Sequence, residues 1–151
     1  MTVPWLDHSA HYRNIKHEVD DAIRHVLERG KYTNDDEVRA FEKEFAAYCQ
    51  SQYGVAIGSG SDAIMIALEA LGIQEGAEVI SVANSCWSVP LAVARSGAGI
   101  GLVDIEEQTY NIDPHLVKEA ITPRTRALLA MHGHGIPCQI EPIMEIAQRR
   151  G

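Results

Sequence analysis

The chain has few cysteines and a deficit of positive charge. Its 151 residues include three cysteines, Cys49, Cys86 and Cys138, which are odd in number and share no C-x-x-C spacing. A disulfide framework is therefore not expected. We expect a reducing, cytoplasmic location instead. Lysine and arginine number 13 against 21 aspartate and glutamate, which gives a net charge of −8. Because such a surface repels the phosphate backbone, we expect no nucleic-acid partner.

Long apolar runs are also missing. No stretch reaches the roughly 18 apolar residues that a membrane-spanning helix needs, so no membrane partner is expected. The start, MTVPWLDHSAHYRN, lacks the apolar centre of a secretory signal. Hydrophobic residues make up 46% and charged residues 23% of the chain, as in ordinary globular proteins. We therefore predict a single domain over residues 1–151, a length within the usual range of ~100–200 residues.

Two helices are predicted in the first 50 residues. Apolar residues recur at helical spacing over Asn14–Arg29, and Gly30 is suited to end that helix. A second helix is predicted over Asp35–Cys49, with cap-forming side chains at positions 33–35. We expect this helical segment, residues 1–50, to pack on the domain that follows.

From residue 53 onward, short apolar runs alternate with helical stretches. The predicted strands are Tyr53–Ile57, Glu78–Val82, Ile100–Ile105 and Ala127–Met131. The predicted helices are Ser61–Leu71, Ser88–Ser96, Asp113–Ala120 (with Asp113 as cap) and Ile140–Arg150. The strands are almost entirely apolar, as expected when helices cover both faces of a sheet. The pattern predicts an α/β fold with three layers (αβα) and a mainly parallel sheet.

A glycine-rich turn, Gly58–Ala63, stands between the first predicted strand and its helix. The first N–H groups of a helix have no intrahelical partner and attract anions, and Ser61 adds a hydroxyl that can also cap the helix. Three interpretations compete: a capped turn without ligand, a G-x-G-x-x-A dinucleotide fingerprint, and a cradle for the single phosphate of a smaller cofactor. The dinucleotide fingerprint requires an acidic residue near the end of the second strand. Here the strand ends in Val82-Ala83-Asn84, which contains no acidic residue, so the dinucleotide interpretation is weakened.

Motifs along nearly the whole chain favour the third interpretation. The matching segments are GKY at 30–32, VRAFE at 38–42, SGSDAIMIALEALGIQEGAEVI at 59–80, CW at 86–87, GA at 97–98, VDI at 103–105, NIDP at 111–114, ITPRTRA at 121–127 and HGHGIP at 132–137. In this order they resemble the DegT-type sugar aminotransferases, which are pyridoxal-phosphate enzymes. The resemblance implies the N-terminal part of a large domain with the aspartate aminotransferase fold.

The resemblance also implies roles for individual residues. Gly60 and Ser61 would hold the phosphate of pyridoxal 5'-phosphate, and Trp87 would stack on its pyridine ring. His132 would lie near the cofactor pocket in a structural or substrate-side role, and Lys31 would border the active site. Each has a plainer alternative: core or interface packing for Trp87, a hydrogen-bonded core position for His132 and a solvated surface position for Lys31.

A metal site is weighed because His132 and His134 form an H-x-H pair with Cys138 close behind. A catalytic metal site usually needs a third ligand from another segment, and no acidic partner is marked by spacing. We therefore expect no metal.

Transamination needs a lysine that forms a Schiff base and a carboxylate that pairs with the pyridine nitrogen. In the family that the chain resembles, both follow the last predicted helix, beyond Gly151. The lysines present, Lys16, Lys31, Lys43 and Lys118, do not stand in the family's Schiff-base context. The expectation is that residues 1–151 contain no catalytic residue and are inactive alone.

The implied reaction moves an amino group, with glutamate as donor, to a keto sugar linked to a nucleotide. The family builds its active sites between two subunits, and an unpaired sheet edge invites pairing with a second chain, so a homodimer or larger homo-oligomer is expected. Two alternatives remain: a non-catalytic truncated relative that acts as an oligomeric fold remnant or interaction module, and a nucleotide-binding α/β domain.

Overall fold

The structure, a computed structural model, describes residues 7–33 and 36–150, and the chain divides between Ala56 and Ile57 into two compact units. The elements are α1 (His8–Arg29), α2 (Asp36–Tyr48), α3 (Gly60–Ala70), β1 (Glu78–Val82), α4 (Ser88–Arg95), β2 (Gly99–Val103), α5 (Pro114–Ala120), β3 (Thr125–Leu129), a short 3₁₀ turn (Gly133–Gly135) and α6 (Ile140–Arg150). None of the helices within the described ranges is long and apolar enough to cross a membrane.

The first unit contains both helices that were predicted there. α1 begins earlier than expected because the Asp7 carboxylate caps it, accepting from the backbone N–H of Ala10 at 2.8 Å. It ends at Gly30, whose left-handed conformation (φ 66°) confirms the predicted stop. The predicted cap positions Asn34 and Asp35 lie outside the described residues. The packing of residues 1–50 on the rest of the chain stays a prediction.

The predicted strand at Tyr53–Ile57 is wrong, since the structure assigns no strand to these residues. The Ala56 N–H donates to the Glu42 carboxylate of α2 at 2.8 Å rather than to a neighbouring strand. Gly54 passes so close to α2 that an added Cβ would lie 2.5 Å from the Glu42 carbonyl oxygen. This segment is therefore held by a side chain and a close helix contact, which apolar character alone does not reveal.

The second unit is built on three parallel strands in the order β2-β1-β3. β1 pairs with β2 from Glu78 opposite Gly99 to Val82 opposite Val103, and with β3 on its other side. The parallel sheet is confirmed. β2 and β3 begin one and two residues earlier than predicted because their pairing partner, β1, sets where the ladder runs.

Helices cover both faces of this sheet, which confirms the three-layer fold. Along β1 the side chains alternate, so Val79 faces one core and Ile80 faces the other. α3 and α4 pack on the first face, around Leu68 and Val93; α5 and α6 pack on the second, around Val117 and Ile143. Ile80, Val82 and Val79 are fully buried. The sheet thus positions the loops that follow the carboxyl ends of its strands.

The loop between β2 and α5 is organised around Glu106. Its carboxylate accepts hydrogen bonds from the N–H groups of Gln108 and Thr109, both at 2.9 Å, and from the Thr109 hydroxyl at 2.8 Å. The Glu106 N–H in turn donates to the carbonyl of Asn111. Hydrogen bonds from the Gln108 N–H, then from the Thr109 hydroxyl, lower the pKa of Glu106 because they stabilise the carboxylate. The ionised Glu106 therefore supports the turn that leads into Asn111.

We expect Ile80→Ala to lower the free energy of unfolding by about 2–5 kcal/mol, because it removes a fully buried side chain from the central strand. Urea denaturation followed by circular dichroism measures the change. Leu102→Ala removes a β2 side chain that is 54% exposed, and it should cost much less. Equal losses in the two variants would contradict this account of the core.

A second prediction concerns acid. The lowered pKa of Glu106 means that its contribution to stability is fully present above the ordinary glutamate pKa and is lost as pH falls through the lowered value. Glu106→Gln should therefore flatten the dependence of unfolding free energy on pH between about pH 6 and 3. Glu107→Gln, which changes net charge equally, should keep the wild-type slope. The same slope in both variants would rule out the role given to Glu106.

Candidate functional site

The glycine-rich turn leads into α3, and Ser59 rather than Ser61 caps the helix. Ser59 has an extended backbone, and its hydroxyl oxygen accepts from the N–H of Asp62 at 3.1 Å while donating to the Asp62 carboxylate at 2.8 Å. The interpretation of Ser61 as cap is therefore wrong. The Ser-x-x-Asp spacing of Ser59 and Asp62 matches a capping box and could have identified the cap from the sequence.

With Ser59 occupied by the cap, the start of α3 offers donors without partners. Among the described residues, no hydrogen bond is made by the N–H groups of Gly60 and Ser61 or by the Ser61 hydroxyl. A Cβ added to Gly60 would meet nothing within 4 Å, so the turn is open to a ligand. Two N–H groups, a hydroxyl and the positive end of the helix dipole form an arrangement that suits a phosphate.

The negative charge of Asp62 is compensated within the second unit. Arg95, in the last turn of α4, places Nη1 3.1 Å from Asp62 Oδ1, and the Ser59 hydroxyl binds the other oxygen. A carboxylate beside a phosphate site would repel the ligand, and this ion pair reduces that repulsion. Both side chains are substantially exposed, so the pair contributes little to stability.

Trp87 stands where the chain leaves β1 and enters α4. Its side chain is 77% exposed, and its carbonyl accepts from the Leu91 N–H in the first turn of the helix. Within its own unit the indole is therefore not a core side chain, and an open aromatic face is available to a flat ligand.

Cys86 precedes Trp87 and is also exposed. Its sulfur lies 2.6 Å from the Ser88 hydroxyl oxygen. The hydrogen bond from the Ser88 side chain lowers the pKa of the Cys86 thiol, because it stabilises the thiolate. By contrast, burial raises the pKa of the Cys138 thiol. The sequence offered no sign of this difference, since it depends on local hydrogen bonds and burial.

His132 follows β3 by three residues and begins a loop that ends at Cys138. Its Nδ1 accepts from the backbone N–H of Cys138 at 3.0 Å. The loop is also bound to Asn111, whose carboxamide oxygen accepts from the Gly133 N–H at 2.7 Å and whose nitrogen donates to the Ile136 carbonyl at 2.9 Å. Asn111 is almost fully buried and was not predicted as a functional residue. Its only sequence signal is an amide side chain between the turn and the cap of α5.

The structure brings some of the predicted site residues to one edge of the sheet. Trp87 and His132 follow β1 and β3, which are neighbouring parallel strands, so both lie beyond the carboxyl ends. Because β2 and β3 lie on opposite sides of β1, this is the switch point where open α/β sheets bind ligands. Gly60 and Ser61 begin α3, which packs beside α4. Lys31 belongs to the first unit, is exposed and directly follows the C-cap of α1.

No group of three His, Cys, Asp or Glu side chains that could hold a metal ion occurs in residues 7–33 and 36–150. Nδ1 of His132 is already an acceptor for the Cys138 N–H.

Comparison with known proteins gives one consistent family. Residues 13–151 match the DegT/DnrJ/EryC1/StrS aminotransferase family. The dTDP-3-amino-3,4,6-trideoxy-alpha-D-glucose transaminase of Streptomyces venezuelae is 44% identical over 149 residues, covering 99% of this chain and 39% of that protein.

Solved structures agree in fold. S. venezuelae DesV, solved in complex with a ketimine intermediate, superposes with a TM-score of 0.94 at 44% identity, over 99% of this chain and 40% of that one. NtdA from Bacillus subtilis, solved with bound cofactor PMP, gives a TM-score of 0.86 at 39% identity, over 91% and 32%. The chain thus spans about two fifths of the curated relatives it matches. By its family match, its sequence identity and its fold, the chain belongs to the DegT/DnrJ/EryC1/StrS aminotransferase family.

Proposed function

We propose that this chain supplies the phosphate-binding and ring-stacking part of a pyridoxal-phosphate-dependent aminotransferase. The reaction would transfer an amino group from glutamate to a keto sugar linked to a nucleotide. The observation that carries the proposal is the set of unpartnered donors at Gly60 and Ser61, in a chain related to a dTDP-sugar transaminase. When bound, pyridoxal phosphate supplies the electron sink and carries the amino group.

The residues at the start of α3 would hold the phosphate. The Gly60 and Ser61 N–H groups and the Ser61 hydroxyl donate to phosphate oxygens, and the helix dipole adds to the attraction. The Asp62 carboxylate accepts hydrogen bonds from Ser59 and Arg95, which reduces its repulsion of a phosphate. These contacts bind the cofactor and restrict its rotation, and they contribute no proton transfer.

The loops after the strands would orient the ring and the substrate. Trp87 presents an exposed indole on which a pyridine ring can stack. His132 would act on the substrate side at the same edge of the sheet, and Lys31 is assigned to the substrate side by the family resemblance alone.

We assign bond making to none of the lysines of residues 1–151, because the resemblance places none of them in the family's Schiff-base context. A Schiff-base lysine must be able to lose its proton, whereas hydrogen bonds from Lys16 to Asp20 and then to Tyr12 raise the pKa of Lys16 and favour its charged form. The dinucleotide alternative is weakened because its glycine turn follows a strand, and no strand precedes Gly58 among residues 7–33 and 36–57. We therefore propose a cofactor-holding segment that is inactive by itself.

Three free cysteines support a reducing location. Cys49 and Cys86 are exposed, Cys138 is buried, and none of them is paired in a disulfide. The proposal therefore places the chain in the cytoplasm.

The cofactor proposal is tested by titrating the protein with pyridoxal phosphate and, separately, with inorganic phosphate in a calorimeter. Ser61→Ala should lower the affinity for both ligands by about tenfold, because it removes one hydrogen bond to a charged group. Trp87→Ala should weaken pyridoxal phosphate while leaving inorganic phosphate unchanged, because only the former has a ring to stack. Ser9→Ala, which removes an exposed serine hydroxyl from α1, should change neither affinity.

Two results would contradict the cofactor proposal. Unchanged affinities in the Ser61 and Trp87 variants would contradict both phosphate binding by Ser61 and ring stacking by Trp87. A stoichiometric pyridoxyl group on one lysine after borohydride reduction would show that the covalent lysine lies within this chain.

We also propose that the chain forms a homodimer or larger assembly. Within the described residues β2 and β3 are edge strands, and α2 exposes a row of stacked rings, Phe41, Phe45 and Tyr48, each more than half exposed. Such surfaces favour association. Light scattering should be measured at about micromolar concentration, which is high enough to populate a typical specific complex. It should report at least twice the 16.6 kDa chain mass. A monodisperse monomer would contradict this, and Phe41→Ser should shift an α2-mediated assembly towards monomer.

A further inference from the structure

Asn111 is a buried polar residue whose side chain is fully engaged. It is 1% exposed, and both ends of its carboxamide bind the same loop: Oδ1 accepts from the Gly133 N–H at 2.7 Å, and Nδ2 donates to the Ile136 carbonyl at 2.9 Å. One partner is a donor and the other an acceptor, so the orientation of the carboxamide is determined. A residue from the loop after β2 thus ties down the loop after β3.

Gly133 allows this close approach. A Cβ added there would lie 3.1 Å from Asn111 Oδ1 and 3.6 Å from the Met131 side chain. Gly133 is buried, so the loop has little room to shift around a larger residue. The short hydrogen bond between its N–H and Asn111 therefore depends on the absence of a side chain.

The loop held in this way determines the tautomer of His132. Because the Cys138 N–H donates to Nδ1, that nitrogen carries a lone pair, and in the neutral imidazole the proton resides on Nε2. His132 itself is exposed. The loop therefore presents an N–H donor beyond the carboxyl end of β3, and β3 is the neighbour of β1, the strand that leads into the loop with Trp87.

The loop after β1 joins the same network. Asn84 donates from Nδ2 to the carbonyl of Tyr110 at 3.0 Å, and Tyr110 has a left-handed backbone (φ 59°) immediately before Asn111. The loops after all three strands are thereby connected through residues 110 and 111. A displacement of Asn111 would reach His132 through Gly133 and Ile136.

We propose that Asn111 is a positioning residue, whose carboxamide holds the 132–138 loop so that His132 directs its Nε2–H to an oxygen atom of the ligand bound at this edge. The proposal rests on the proposed function, since that ligand is pyridoxal phosphate, beside which the substrate would bind. Asn111 does not touch the ligand itself. It acts through the geometry and the tautomer of His132.

The test compares Asn111→Ala with the wild-type protein by ¹⁵N NMR of the His132 imidazole and by calorimetry. Wild type should show a single Nε2–H tautomer, and Asn111→Ala should show a mixture because the loop and its Cys138 contact loosen. Affinity for pyridoxal phosphate should fall about tenfold, while affinity for inorganic phosphate stays the same. The control, Gln108→Ala, removes an exposed carboxamide from the loop after β2, which also contains Asn111. It should change neither the tautomer nor the affinities.

Gly133→Ala keeps the test decisive if Asn111→Ala does not fold. It leaves the carboxamide in place and displaces only the loop, so it should produce the same tautomer mixture. Folded variants that keep the wild-type tautomer, or that bind pyridoxal phosphate as wild type does, would overturn the proposal. A tautomer change in a protein whose wild type does not bind pyridoxal phosphate would contradict the proposed function and still support Asn111 as the residue that positions His132.

Discussion

The pairing of β1 with a parallel strand on each side is the constraint on which the second unit depends. Because β1 is buried on both faces, it can be covered only by helices, and each connecting segment must cross from the carboxyl end of one strand to the amino end of the next. The loops bearing Trp87, Asn111 and His132 are consequently gathered beyond the same edge. Residues separated by more than forty positions in the chain lie at one edge of the sheet for this topological reason.

Around that edge the second unit presents backbone donors and loop side chains on different elements. The N–H groups of Gly60 and Ser61 make no hydrogen bond within the described residues, since a helix leaves its first N–H groups without intrahelical partners. The side chains of Glu106 and Asn111 hold the neighbouring loop segments through hydrogen bonds. Loops of this kind can hold a ligand without large rearrangement, since their polar groups already have partners.

The family relationship and the span of the chain together define what can be assigned to it. The chain matches about two fifths of the length of its relatives, and over that length it carries donors for a phosphate and an exposed aromatic face. The exposed rings of α2 and the open edges of the sheet show apolar and backbone groups that a further protein surface can cover.

Local order was largely determined by the sequence alone. The helix stop at Gly30, the cap at Asp113 with Pro114 after it, the alternation of strands with helices and the family motifs all depend on residues close together in the chain, and these predictions were confirmed. The roles of Gly60, Ser61 and Trp87 stay predictions. Only the tertiary structure decided that Ala56 donates to Glu42 instead of to a neighbouring strand, where β2 and β3 begin, and that Asn111 holds the His132 loop. These features depend on hydrogen-bond partners distant in sequence, which neither periodicity nor local motif can identify.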